Sequence, residues 1–171
     1  MDMNKVIEAA IKAGALEQVS KMIDVPEEDA GKALNVVLPL LLKGMQSQAK
    51  SKETKDGFLK ALDDHGKNDP KDVKKFLKNV DTDDGAKIVN HLLGSKTEDV
   101  AAKAGKKSGL DVKTILKIMA IVAPLLMSQM GKEAKTETAK SGSGDMSGIV
   151  GNLLENVDIG DVIKIANLLI K

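Results

Sequence analysis

Cysteine, tryptophan, tyrosine and arginine are missing from the sequence, and only Phe58 and Phe76 supply aromatic rings. Without cysteine there is no disulfide framework, no thiolate nucleophile and no sulfur-ligated zinc, which agrees with a reducing cytoplasm. Without arginine the commonest bidentate contact to guanine is lost, and two phenylalanines leave little for base stacking. The 26 basic residues are therefore all lysine, set against 25 Asp and Glu, and a formal net charge of +1 gives no general attraction to phosphate. No nucleic-acid partner is expected. Long hydrophobic runs are scarce too. The longest, Ile118–Met127, has ten residues and the next, Val36–Leu42, has seven, whereas crossing a bilayer takes about 20. The opening stretch carries Asp2 and Glu8 and lacks the basic start of a signal peptide. The expectation is a cytoplasmic protein with no transmembrane segment.

What remains is ordinary for a globular chain: 171 residues, 42% hydrophobic and 30% charged. That length suffices to bury a core without a metal or disulfide staple. Period-two alternation is rare and Ala, Leu, Lys, Glu and Met abound, so the chain reads as all-α. Helices are predicted at Met3–Ala13, Ala15–Met22, Pro26–Lys50, Glu53–Asp64, Pro70–Lys78, Gly85–Leu93, from Ser95 or Thr97 to Lys107, Val112–Ala134, Met146–Glu155 and Ile159–Ile170. Asp2, Asp24 and the acids at 81–84 are taken as N-caps. The stretch from Lys135 to Gly144, poor in apolar residues and ending Ser-Gly-Ser-Gly, reads as a flexible linker.

The two halves echo each other. Val37-Leu38-Pro39-Leu40-Leu41, Met45 and Ala49 match Val122-Ala123-Pro124-Leu125-Leu126, Met130 and Ala134 at a constant offset of 85. Asp69, Asp72, Val73 and Lys75 match Asp158, Asp161, Val162 and Lys164 at an offset of 89. One helical domain over 1–171 is expected, with an internal repeat at about 3–78 and 82–170 around two long proline-containing central helices. Inside a helix, proline removes a donor and frees the carbonyl four residues back, here at Asn35 and Ala120. Lys32, Asn35, Pro39, Lys43 and Gln46 share one face, as do Lys113, Lys117, Pro124 and Ser128. Both prolines should thus lie on polar stripes, with water satisfying the carbonyl of Asn35, and both helices should bend around a shared core with their convex side towards solvent.

The chemistry-bearing groups form no catalytic pattern. His65 lies near Asp63, Asp64 and Asp69 in sequence, but a solvated helix end explains that cluster better than a metal site, and His91 reads as a partly buried helix residue. Asn79–Gly85 resembles a calcium loop until its register is counted: the glycine is misplaced and Asn90 stands where a bidentate Glu belongs. Gly142–Gly148 has neither the lysine of a phosphate loop nor a nucleophile elbow. Val100–Ser108 resembles the first helix and turn of a helix-turn-helix, yet the following helix, Ile115–Ile121, is too apolar to read a groove. No catalytic, cofactor-binding or metal-binding residue is assigned, and no cofactor is expected.

Two passages carry a resemblance: Leu16–Met22 with Pro26–Leu34 and Leu38–Leu41, and Asp84–Gly94 with Gly109-Leu110 and Ala123–Leu126. Together they resemble the bacterial YidB-like family, a domain of unknown function numbered 937. The resemblance implies a multihelical bacterial protein and supplies no site residues. The function expected is that of a non-enzymatic helical module that binds a protein partner or self-associates. The alternative is a carrier of a small apolar, acyl-like ligand between Ile115–Met130 and Val36–Met45, with a helix-turn-helix DNA binder behind it.

Overall fold

Nine α-helices and one 3-10 turn make up the computed structural model, which describes residues 3–68, 70–142, 144–158, 160 and 164; no strand occurs among them. In chain order these are α1 (Met3–Lys12), α2 (Ala15–Ile23), α3 (Glu27–Lys50), α4 (Lys55–His65), α5 (Val73–Lys78) and α6 (Thr82–Leu93). The turn Gly94–Lys96 then leads to α7 (Thr97–Ser108), α8 (Val112–Ser141) and α9 (Met146–Glu155). The chain is all-α and multihelical. The predicted cap at Asp2 and most of the predicted last helix, Ile159–Ile170, lie outside the described residues.

Short acidic side chains set several of the boundaries. The carboxylate of Asp72 accepts from the amide of Lys75 at 3.1 Å, and that of Asp81 from the amides of Asp83 and Asp84 at 3.0 and 3.2 Å. Asp111 accepts from the amide of Thr114 at 2.7 Å and Asp145 from that of Gly148 at 3.1 Å. Each satisfies donors that a helix start leaves without a partner. The Thr114 side chain and amide together hold the Asp111 carboxyl below its ordinary value. Asp24 departs from expectation. It closes α2 in the left-handed region at φ 54°, its amide donating to the carbonyl of Ser20, and Pro26 stands at the entrance to α3. Aspartate tolerates that conformation better than most residues with a side chain.

The two long helices, α3 and α8, run through one hydrophobic cluster to which all nine helices contribute. Leu41, Leu42 and Met45 of α3 and Ile115, Ile118 and Met119 of α8 have no exposed surface. Burying a side chain of this size stabilises by about 1.5–3 kcal/mol. α3 packs against α6, α7 and α9 as well as its neighbours α2 and α4, while α8 packs against α1, α2, α4, α5 and α6 as well as α7 and α9. Elements from either half of the sequence thus cover the long helix of the other. Shifted by 85 positions, α3 falls on 112–135, within the span of α8.

Two expectations about the long helices are overturned. Pro39 and Pro124 lie inside α3 and α8, but both are buried, as are Asn35 at 5% and Ser128 at 0% exposure. The polar stripes surface only at residues such as Lys43, Lys113 and Lys117, because neighbouring helices cover the remainder. Next, the linker expected from Lys135 to Gly144 is helical as far as Ser141. Lys135–Lys140 is polar but rich in helix formers, and the Thr138 hydroxyl donates back to the carbonyl of Ala134 at 2.7 Å, so low apolar content there marks an exposed helix face. As a whole, α8 contains a window of mean hydropathy 1.5, long and apolar enough to cross a membrane by length and composition, although its uninterrupted apolar run is short. Of that window 78% is buried inside the fold, which accounts for its composition as a core helix.

On the surface, α2 and α5 are tied by Glu17, whose carboxylate takes the ammonium of Lys74 at 2.9 Å and that of Lys21 at 2.9 Å. The hydrogen bond from Lys74, then that from Lys21, lower the Glu17 carboxyl from an ordinary 4.5 to about 2. A depressed acid stabilises the fold above its unfolded value and loses that contribution as pH falls through its folded one. Stability should therefore decline between pH 4.5 and about 2, and Glu17→Gln should flatten part of that slope in urea titrations. Added salt should shrink the difference between the two proteins, since the group is open to solvent.

Candidate binding clefts

α4 and α6 lie side by side on α8, and glycines fix how closely. A Cβ at Gly85 of α6 would stand 1.8 Å from the carbonyl oxygen of Ala120, and one at Gly131 of α8 would stand 2.1 Å from that of Leu62 in α4. Both short helices consequently rest on the backbone of α8 itself. Between them His65, from the end of α4, places its Nε2 3.6 Å from the Asp84 carboxylate at the start of α6. When the imidazole is protonated this becomes an ion pair.

The pair separates two clefts and lines both. On one side is a cleft of about 600 Å³ between α5 and α6, with Lys75, Phe76, Asn79 and Val80 on its walls and Pro124 on its floor. On the other is a cleft of about 460 Å³ between α4 and α6. Phe58, Ile88, Leu92 and Met127 give it an apolar floor, and Gln48, Lys87 and His91 ring it. Both volumes fall in the range of about 300–1,000 Å³ typical of ligand sites. The charged or titratable groups of the second cleft are Asp84, Lys87 and His91 from α6, His65 from α4 and Glu53 from the segment joining α3 to α4. A further cleft of about 440 Å³, on the opposite side of α6 beside Ser95 and Glu98, contains no basic residue.

The residues singled out in the sequence fall into place around this arrangement. His65 meets Asp84 and not its sequence neighbours: Asp63 takes Lys135 at 3.3 Å and Lys67 at 4.0 Å, and Asp64 takes Lys67 at 3.2 Å. Asp69 lies outside the described residues, among which no group of three or more His, Asp or Glu side chains could hold a metal ion. His91 is exposed, contrary to the partial burial expected, because α6 turns Ile88 and Leu92 inwards and presents residue 91 at the rim. Asp81, within the pseudo-calcium loop, is occupied as a cap. Ile115, Ile118 and Met119, which a recognition helix would need at its surface, have no exposed area. Between α3 and α8, where an apolar ligand was expected, the space shared with α1 and α2 amounts to about 40 Å³.

The α4–α6 cleft was not foreseen. Its one sequence signal is α6 itself, where Lys87 and His91 run beside Ile88 and Leu92 at one-turn spacing; that α4 would lie opposite depends on contacts far apart in the chain.

A family model described as a bacterial protein of unknown function (DUF937) matches residues 5–133. That span includes every residue lining the two clefts. No curated protein and no solved structure matches the chain.

Proposed function

The chain belongs to the DUF937 family of bacterial proteins of unknown function, and on that premise we propose that it is a non-enzymatic, cytoplasmic interaction module whose recognition surface is the pair of clefts on α8. One observation carries the reading: among the described residues only Val112 is a large hydrophobic side chain left exposed, while two clefts of ligand-site size meet at a single His–Asp pair. A protein without an open apolar patch recognises its partner where concave surface combines apolar floor with polar rim. Support for a non-catalytic role comes from the lining. Thr54 supplies the one hydroxyl side chain among the residues lining these two clefts, and it donates to the carbonyl of Gln48 at 2.9 Å, so it is not paired with either histidine. The apolar-carrier alternative finds only about 40 Å³ between the long helices.

Site-directed photocrosslinking in the native cell tests the proposal. A photoreactive residue at Lys75 or at Glu53, one in each cleft, should give discrete protein adducts that the same residue at exposed Lys103 on α7 does not give. An identical adduct pattern from all three positions, or none from either cleft, would remove the clefts as the recognition surface.

A further inference from the structure

Only Ala13 and Gly14 join α1 to α2, and Gly14 stands at φ 102°, ψ 18°, a conformation that residues with a side chain rarely adopt. Between Met3 and Ile23 there is no proline and no other glycine, and Lys12, Ala13, Ala15 and Leu16 beside the break are strong helix formers. α5, α6, α8 and α9 each begin at an aspartate cap, whereas no side chain caps the start of α2. A continuous helix would supply the amides of Ala15, Leu16 and Glu17 with the carbonyls of Ile11, Lys12 and Ala13.

Apolar contact holds α1 in place. Val6, Ile7 and Ala10 are buried in a groove of α2, α3 and α8 lined by Leu34, Leu38 and Leu125, with about 40 Å³ of space left beneath the helix. The ion pair of Glu8 with Lys12, at 2.5 Å, lies within α1 and would travel with it. In a straightened helix, at about 100° per residue, Val6, Ile7 and Ala10 would lie roughly 180° around the axis from Ala15, Leu16 and Val19, the residues that α2 buries. With α2 seated on its own core, α1 would project about 15 Å beyond it and turn its apolar stripe the other way. Only the groove of another molecule could then cover that stripe.

We propose that α1 is an exchangeable strap. With Gly14 in its left-handed turn it fills its own groove; with Gly14 helical it fills the same groove of a second copy, giving a reciprocal dimer in which residues 3–23 form one helix. The groove's occupant is the one already seated in it, since exchange remakes the contacts of α1 and changes only the hinge. Each molecule gives one helix and receives one, so the assembly closes at two. Both clefts stay intact, because no residue of α1 or α2 lines either.

Sedimentation of the full chain over a range of concentrations tests the proposal. The parent should pass from monomer to dimer as it is concentrated. Gly14→Ala penalises the turn and favours the helix, together about tenfold or more per hinge. Two hinges straighten in each dimer, so its association constant should rise at least a hundredfold. The nearest neighbours of the new methyl all belong to the flexible Lys74 side chain, which leaves the hinge as the cause. Gly14→Asn, which tolerates left-handed backbone, should fall between the two and gives the reading if the alanine protein does not fold. Gly57→Ala, the same change inside α4, should leave association unchanged. Spin labels on cysteines placed at exposed Lys5 and Lys21, in labelled chains diluted with unlabelled ones, read the hinge itself. Their separation should lengthen on dimerisation to about 24 Å along the axis, as 16 residues of continuous helix require. A parent that stays monomeric however far it is concentrated, or equal association of the glycine, asparagine and alanine proteins, would overturn the strap. A dimer in which the label distance does not change would overturn exchange as its basis.

Discussion

Gly85→Ala should melt about 6–12 °C below the parent protein, the equivalent of about 3 kcal/mol for a chain of this size. The added methyl would lie 1.8 Å from the carbonyl oxygen of Ala120 and 2.7 Å from its carbonyl carbon. Those are backbone atoms in the middle of α8, within its continuously buried stretch Ile118–Ser128, so no rotamer change can make room and α6 must move. Overpacking a rigid site costs about 1–3 kcal/mol and sometimes more. The helix propensity that alanine gains over glycine, about 1 kcal/mol, offsets part of the total. Gly57→Ala is the control. It makes the same change inside a helix where nothing lies within 4 Å of the new Cβ, and it should be neutral or mildly stabilising. Thermal unfolding followed by circular dichroism reads both, and a Gly85→Ala protein melting with the parent would show that α6 does not rest on the α8 backbone. Since α6 carries Asp84, Lys87 and His91, the same substitution should also weaken whatever the α4–α6 cleft binds.

What could be read from the residues in advance is governed by sequence distance. Caps act over two or three residues, so Asp81 marks the start of α6 as expected and α9 falls at Met146–Glu155 as its pattern suggests, whereas Asp72, expected inside the helix Pro70–Lys78, caps α5. Asp24 misleads because the same short carboxylate that caps a helix start also tolerates the left-handed turn that ends one. Periodicity fails for a different reason at Pro39 and Pro124. A stripe of Lys, Asn, Pro and Gln reads as solvent-facing only when one side of the helix is open, and α3 and α8 are enclosed by helices from both halves of the chain. The clefts were the least legible feature. Nothing local ties His65 to Asp84, 19 positions on; their approach depends on α4 and α6 both seating on α8. Gly85 and Gly131 serve as flat surfaces on which helices cross, a role visible only once the opposing backbone is known.

The second crossing should behave as a coupled pair. A Cβ at Gly131 would stand 2.1 Å from the carbonyl oxygen of Leu62 and 2.9 Å from the Cα of Gly66, and a Cβ at Gly66 would stand 2.8 Å from the carbonyl carbon of Gly131. Each single alanine therefore forces the same displacement, α4 lifting from α8, and Gly131→Ala should cost about 3 kcal/mol by the overpacking range used above. Once one methyl has opened the crossing, the second enters space already made. The double variant should accordingly be more stable than the sum of the singles predicts, by about 1 kcal/mol or more, within the range by which contacting sites depart from additivity. The displacement also reaches the clefts, because His65 immediately precedes Gly66 and is carried by the same end of α4. With α4 raised, the imidazole leaves Asp84, the wall between the two clefts opens, and photoadducts from Lys75 and Glu53 should lose their separate identities. Urea titration of the four proteins of the cycle measures the coupling. Strict additivity would show that the two glycines do not share one backbone contact, and unchanged adducts in a destabilised Gly131→Ala protein would separate the crossing from the recognition surface it is held to build.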